Sequence, residues 1–283
     1  MYMIGGTASK SIAEDLSLLL HVPLANVISK RFPDDELYIR IMEDLSGHDA
    51  IIVQTTHPDP NIVELFLLQD AAQEAGASSI TVIIPYMGYA RQDKQFKEGE
   101  PISARALAKL ISFIADKVIT VDPHKEHILD FFTVTALSCS AVVALAQYLK
   151  QKNIDLVLAP DKGALTRATQ AAEILGCDVD YMEKTRIDGT TVKITPKRLD
   201  AKGKSVAIID DIISTGGTMA TSIKELRKQG ANHVFVTCTH GLFAGDAIKK
   251  LHAAGCDEII STDTIENDFS KVHVASSLLP LLQ

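Results

Sequence analysis

The sequence predicts an α/β protein made of two similar domains, each a mainly parallel sheet flanked by helices. Three observations lead there. Short apolar runs rich in β-branched residues, among them Ala50–Gln54, Ile80–Pro85, Val206–Ile209 and His233–Thr237, read as buried strands. They alternate with stretches whose apolar residues recur at helical spacing, such as Val63, Leu67 and Ala71. A strand–helix–strand pattern also occurs twice at matching spacing. The first copy runs from Ala50 through Glu74-Ala-Gly-Ala77 to Ile84, the second from Val206 through Lys228-Gln-Gly-Ala231 to Thr237. Both copies are right-sized crossovers between parallel strands, which suggests a duplication.

Composition bounds the chemistry. The chain has 283 residues, 46% hydrophobic and 23% charged, enough for a large core in one or two domains. A net charge of −8 argues against general nucleic-acid binding, so basic residues must act locally. No apolar run approaches the ~20 residues of a membrane span, and Met1–Lys10 lacks the pattern of a signal peptide. Cys139, Cys177, Cys238 and Cys256 are widely spaced with no CxxC pair. Zinc is not expected, and reduced thiols in a cytoplasm are.

In chain order, Met1–Gly6 is a short apolar start and Ser9–Leu20 a helix. Lys30–Glu36 forms a loop or bulge around Pro33, and Leu37–Ile41 resumes as a strand. After strand Ala50–Gln54 comes a Pro-containing loop and a helix from Ile62 to Ala75, closed by Gly76. Strand Ile80–Pro85 leads into a long, charged, aperiodic segment ending at Pro101. Loops of this kind in compact domains are usually functional or disordered, and Lys94 and Lys97 suit a flap over phosphates. A helix follows over Ile102–Ile114.

Lys117–Lys125 is a strand ending on Asp122 and His124. A carboxylate and an imidazole just past a strand fit a ligand-facing edge, where His124 serves a metal, a phosphate or only a cap. Leu137–Lys150 reads as a helix leading into the second domain. Strand Ile154–Pro160 ends at Asp161, an acid suited to Mg²⁺, which binds few carboxylates and keeps its waters. Lys184 and Arg186 are two apart and share one face of an extended segment, so an anion should sit between them unless both are simply solvated. Val192–Ile194 continues as a strand. Cys238–Gly241 ends the strand from His233 and is expected to line the same cleft. Glu258–Asp263 is a further strand, and the apolar Lys271–Gln283 returns to pack on the body.

The most specific stretch is Val206–Met219. An apolar strand ends on Asp210 and Asp211; Ser214, Thr215, Gly216, Gly217 and Thr218 follow, and then a helix over Met219–Gln229. Two glycines let several N–H groups converge on one point, and the helix terminus adds partial positive charge. There is no lysine of the Walker A type, so the loop suits one compact phosphate monoester rather than a nucleoside triphosphate. Two carboxylates beside that phosphate can accept hydrogen bonds from vicinal sugar hydroxyls. Together these features describe a ribose 5-phosphate site. The plainer alternative is a cap and a turn. In the first copy the same position reads Gln54-Thr-Thr-His-Pro-Asp-Pro60, with no such cradle.

Six segments together resemble the ribose-phosphate pyrophosphokinases, in their shorter archaeal-type branch: Phe32-Pro-Asp-Asp-Glu36, Tyr89-Ala-Arg-Gln-Asp93, Asp122-Pro-His124, Ala159-Pro-Asp161, Lys184-Thr-Arg186 and Asp210–Thr218. Ordinary type I phosphoribosyltransferases share only the last. The resemblance spans Phe32 to Thr264. It implies two type I phosphoribosyltransferase-like domains: 1–140, on the ATP side with a flap at 91–101, and 141–264, on the ribose 5-phosphate side. The tail from about 265 to 283 is expected to pack back on the first domain.

The reaction it implies is transfer of the β,γ-diphosphoryl group of ATP to the C1 hydroxyl of ribose 5-phosphate, giving AMP. Adenine would be held by Arg91 and Gln92 together with the loop of Phe32, Asp34, Asp35 and Glu36 from a neighbouring subunit, hence a homodimer or larger homo-oligomer, with Asp93 also among the ATP-binding residues. Mg²⁺ would be associated with His124 and Asp161, with Asp122 shaping that site. Lys184 and Arg186 match the catalytic basic pair, Arg186 also serving ribose 5-phosphate beside Asp210, Asp211 and Ser214–Thr218. The chain departs from the family in carrying Asp35 where glycine is usual. Two rival readings are a phosphoribosyltransferase and a non-catalytic regulatory subunit that binds nucleotide.

Overall fold

A computed structural model describes the backbone of residues 1–186, 192–196 and 200–282, and the side chains of 1–183 and 200–282. The chain forms two compact units, Met1–Ser140 with Val274–Gln283, and Ala141–His273.

The first unit runs β1 (Tyr2–Gly5), α1 (Lys10–Leu20), β2 (Val27–Arg31), β3 (Leu37–Ile41), β4 (Asp49–Val53), α2 (Pro60–Glu74), β5 (Ser79–Ile84), α3 (Ser103–Ile111), β6 (Lys117–Val121) and β7 (Thr135–Cys139). Five strands form one parallel sheet in the order β1-β4-β5-β6-β7. Its central strands are mostly apolar because helices cover both faces. Ile4, Ile52 and Ile84 pack with Leu65 and Leu68 of α2 and Leu107 and Ile111 of α3. Residues alternating with these, Met3, Ile51 and Ile83, are also buried, and α1 packs along β1 and β4. β2 and β3 stand apart as an antiparallel hairpin. The tail closes on this unit, where a short helix at Ala275–Leu278 packs on α1 and the Lys117 ammonium donates to the Leu281 carbonyl at 2.8 Å.

The second unit opens with α4 (Val142–Leu149). It continues through β8 (Leu156–Ala159), α5 (Leu165–Leu175), β9 (Asp178–Arg186), β10 (Val192–Pro196), β11 (Ser205–Ile213), α6 (Gly217–Lys228), β12 (His233–Gly241), α7 (Ala247–Ala254), β13 (Glu258–Thr262) and β14 (Ser270–Val272). The sheet order is β10-β9-β8-β11-β12-β13-β14, antiparallel only between β9 and β10. Leu156, Ile208 and Val236 face Ile223 and Leu226 of α6 and Leu251 of α7. Val157, Ala207 and Phe235 face the other way, toward Leu145 of α4 and Ala168 and Ala171 of α5.

From β1 and from β8 the order of elements is the same: strand, helix, hairpin pair, strand, helix, strand, helix, strand, strand. The twofold repeat predicted from the β4–α2–β5 and β11–α6–β12 segments thus extends over both units.

Three predicted elements differ. Leu137–Cys139 is the end of a strand, β7, rather than the start of a helix, because it pairs in parallel with Ile119–Val121. β11 does not stop at Asp210 but runs on to Ile213, paired with β12 as far as Gly241. Cys238–Gly241 is buried within that extension rather than lining an open edge.

Candidate active site

The phosphate cradle is built by the turn from β11 into α6. Gly216 caps the helix with φ 72°, and a Cβ there would meet the Ala247 carbonyl oxygen at 3.3 Å. Only glycine enters that backbone region without strain. The turn is tied down by backbone bonds from Leu242 and Phe243 to the Ile213 carbonyl and from Ala244 to the Ser214 carbonyl. α6 has no side-chain cap, so its first N–H groups remain for another acceptor. Thr215, Gly217 and Thr218 are exposed, and a Cβ on Gly217 would meet nothing within 4 Å. A fixed turn, uncapped N–H groups and open space at Gly217 are the geometry that suits an anion.

Asp210 and Asp211 sit directly before it. The Asp210 carboxylate accepts from the Asp211 N–H and the Asp211 carboxylate from the Ile212 N–H, each at 2.9 Å. Burial pushes the Asp210 carboxyl well above the usual carboxylate range, and the charge of Asp211 adds to it; Arg167 on α5 opposes the shift. Carboxylate oxygens of the pair can accept from sugar hydroxyls.

Asp161 follows β8. Its Oδ1 accepts from Gly163 N–H at 2.8 Å and Ala164 N–H at 3.3 Å, which fixes the carboxylate and leaves Oδ2 for a cation. This suits a hard ion held by few protein oxygens. Lys184 and Arg186 lie on the last residues of β9; their side chains are outside the described residues.

In the first unit, Phe32–Glu36 forms the exposed tip of the β2–β3 hairpin. Phe32 N–H donates to the Glu36 carbonyl, and the Arg31 guanidinium reaches the Asp35 carbonyl at 2.6 Å. Asp35 itself has φ 70°. Phe32 is 45% exposed, braced edge-on by Tyr38.

Arg91, Gln92 and Asp93 occupy the connection from β5 to α3, on different elements from the hairpin tip. Tyr89 holds φ 62° and its hydroxyl donates to Asp59 at the start of α2. Gln92 is tied to the N-terminal turn of α3: Ala104 N–H donates to its carbonyl, and the Ser103 hydroxyl to its side-chain Oε1 at 2.6 Å. The His127 ring lies 3.1 Å from Asp93. Asp122, just past β6, is buried with φ 37° and accepts from Ser140. His124 follows, half-buried, on the same loop.

Comparison with known proteins now separates the readings. Residues 1–114 match the N-terminal domain of ribose phosphate pyrophosphokinase, and residues 139–274 match the phosphoribosyl transferase domain. The chain is 43% identical to a ribose-phosphate pyrophosphokinase of Pyrococcus abyssi over 98% of its own length and 96% of the relative's. The chain belongs to this family. A second ribose-phosphate pyrophosphokinase, from Pyrococcus furiosus, is 46% identical over 92% of this chain and 93% of its own. The crystal structure of phosphoribosylpyrophosphate synthetase from Mycobacterium smegmatis has a TM-score of 0.84 at 31% identity, covering 99% and 96% of the two chains.

As a member of this family, the chain has two phosphoribosyltransferase-type domains whose strand ends have diverged. At the end of β4, where the second unit has its acid pair, Gln54, Thr55 and Thr56 are buried and bonded internally. Gln54 donates to Glu64, Thr55 N–H to Ser9, and the Thr56 hydroxyl accepts from Gly88 N–H. Sequence reading missed Asp59, His127 and Arg167 as neighbours of the site. Each meets its partner from a different element, and no local spacing signals such a contact.

Proposed function

We infer that this chain makes 5-phosphoribose 1-diphosphate and AMP from ATP and ribose 5-phosphate, with the work divided between its two units. Family membership over nearly the whole chain is the observation that supports the reaction. The open, uncapped N-terminus of α6 supports the assignment of the second unit to ribose 5-phosphate.

The α6 N–H groups with Ser214, Thr215 and Thr218 hold the 5-phosphate, and Asp210 and Asp211 accept from the 2- and 3-hydroxyls. That fixes the sugar and leaves the C1 hydroxyl to attack the β-phosphorus of ATP, a reaction that depends on in-line positioning more than on covalent chemistry. Lys184 and Arg186 neutralise charge as it develops on the transferring group. Arg91 and Gln92 hold the adenine with Asp93 behind them, completed by Phe32, Asp34, Asp35 and Glu36 of a neighbouring copy, which makes the active form a homo-oligomer. The flap beyond Asp93 excludes water that would hydrolyse ATP. Asp161 and His124 are the residues assigned to Mg²⁺, with Asp122 shaping the loop; the ion supplies charge neutralisation on the phosphates. Among the described residues no helix is long and apolar enough to cross a membrane. The cytoplasmic location we assign rests on the reaction, whose substrates are metabolites of the cytoplasm.

The test is to follow AMP by chromatography from purified protein with ATP. AMP that requires both ribose 5-phosphate and Mg²⁺ supports the reading. ATP binding without AMP would favour a regulatory subunit, and neither would favour a phosphoribosyltransferase.

A further inference from the structure

The segment assigned to adenine is anchored at three points. Tyr89 is bonded to Asp59 of α2, Gln92 to Ser103 and Ala104 of α3, and Asp93 to His127. The first two anchors reach helices that pack in the core. The third is different, because His127 lies on the loop after β6, in the first turn of the 3-10 segment Glu126–Phe131 and three residues beyond His124. The Asp93 side chain is only 13% exposed while the His127 side chain is 50% exposed. The ring is braced from its other side by Phe131, edge-on at 5.8 Å.

We propose that His127 is a positioning residue for ATP: its Nε2–H holds the Asp93 carboxylate and thereby fixes Arg91 and Gln92 against the phosphate-side loop that carries His124. The contact sits at the boundary between two kinds of backbone. On one side Gln92 is locked, with its amide oriented by the Ser103 hydroxyl so that Nε2 is left to donate to a base. On the other side Lys94–Glu98 is exposed and held to Glu100 only by local bonds within the loop, such as Phe96 and Lys97 N–H to its carboxylate. A loop that opens and closes over a nucleotide needs a fixed pivot, or its motion is transmitted to the groups that read the base. The Asp93–His127 pair is that pivot. Ordering the segment before ATP arrives reduces the entropic cost of binding.

This rests on the assignment of Arg91 and Gln92 to adenine, so the test carries Arg91→Ala as a control. Steady-state AMP formation is measured on the full-length protein for His127→Ala, His127→Gln, Asp93→Ala and the double variant. Losing a hydrogen bond to a charged group should raise the KM for ATP about tenfold in His127→Ala. The KM for ribose 5-phosphate should stay within about twofold, because no ribose-side group is touched. Glutamine retains an N–H donor of similar reach and should restore most of the loss. The double variant should be no worse than Asp93→Ala, since the two residues act as a unit. An unchanged KM for ATP in His127→Ala while Arg91→Ala raises it overturns the proposal alone. So does an equal rise in both KM values with a lowered melting temperature. Arg91→Ala with an unchanged KM for ATP overturns the adenine assignment and this proposal together.

Discussion

Two adjacent glycines in the cradle should respond oppositely to the same methyl group. Gly216 has φ 72°, and an added Cβ would meet the Ala247 carbonyl oxygen at 3.3 Å and its Cα and Cβ at 3.4 Å. The left-handed backbone alone costs an alanine about 1–2 kcal/mol. The tight contacts add to this, because their closest member is backbone and yields little. Gly217 is the first residue of α6, with no heavy atom within 4 Å of its would-be Cβ. Alanine there should leave stability unchanged or raise it by up to about 1 kcal/mol through helix propensity. A change of 1 kcal/mol moves the melting temperature by about 2–4 °C in a domain of this size. Gly216→Ala should therefore melt several degrees lower and Gly217→Ala no lower than the parent. Activity should not follow stability. On the proposed placement of the phosphate, a methyl at Gly217 takes up part of the open space in front of α6; losing one hydrogen bond to a charged phosphate costs about 1.5–3 kcal/mol, so the KM for ribose 5-phosphate should rise at least tenfold. The assay pairs thermal unfolding with AMP formation at saturating ATP. Gly217→Ala with the parent's KM for ribose 5-phosphate would refute the placement of the phosphate, and Gly216→Ala with the parent's melting temperature would refute the strain argument.

Three further outcomes are expected. Asp210→Asn should stabilise the protein and impair it: burial raises the Asp210 carboxyl, so the folded state binds a proton that the unfolded chain releases, and stability falls as pH rises above the ordinary carboxylate range. The variant should gain on the parent in denaturant titrations at pH 9 relative to pH 5, while its kcat/KM for ribose 5-phosphate drops. Glu258 shows the reverse sign. Burial would raise its carboxyl, but bonds from Lys152 at 2.6 Å, Lys271 at 2.8 Å and Tyr148 at 3.1 Å outweigh this and lower it to about 2. Its contribution, about 1–2 kcal/mol after solvent screening, is present above pH ~4.5 and lost as pH falls toward 2, so the deficit of Glu258→Gln at neutral pH should close in acid. At the hairpin tip, Asp35 has φ 70°, so Asp35→Val should lower the melting temperature and Asp35→Gly should not.

The parts of this fold that local pattern specifies were legible in the sequence. Val206–Ile209 and Ile80–Ile84 are apolar on both faces because helices cover both, and that reads as a buried parallel strand without further information. Asp35 stands in left-handed backbone, which Asp tolerates better than most residues, and its carbonyl is held by Arg31. What local pattern does not contain is pairing. Leu137–Cys139 reads as the start of a helix because this short, half-exposed edge strand runs into the alanine-rich start of α4, and only its register with β6 distinguishes it. The apolar run stops at Ile209 and two carboxylates follow, so local pattern puts the end of the strand on Asp210 and Asp211. The structure keeps them in the strand through pairing with β12, and the burial of Asp210 that follows is what shifts its ionisation.

The two corresponding strand ends of this duplicated fold are finished differently. In both units the first crossover leaves a row of backbone groups at the carboxyl edge of the sheet, and each must find a partner. The first unit satisfies them from within. Gln54 and Thr7 converge on the buried Glu64 carboxylate, and the Thr55 and Thr56 hydroxyls accept from Tyr86 and Gly88 N–H. The second unit leaves α6 uncapped and sets the Asp210 and Asp211 carboxylates a few residues away, so a ligand there can use acceptors for the N–H groups and donors for the acid pair. A sugar phosphate supplies both at once, acceptors from its phosphate and donors from its hydroxyls, which neither a free anion nor a neutral sugar can do. Inorganic phosphate alone should therefore protect the protein against thermal unfolding less than ribose 5-phosphate at the same concentration, and Asp210→Asn should narrow that difference. Equal protection by the two ligands would mean that the acid pair takes no part in binding.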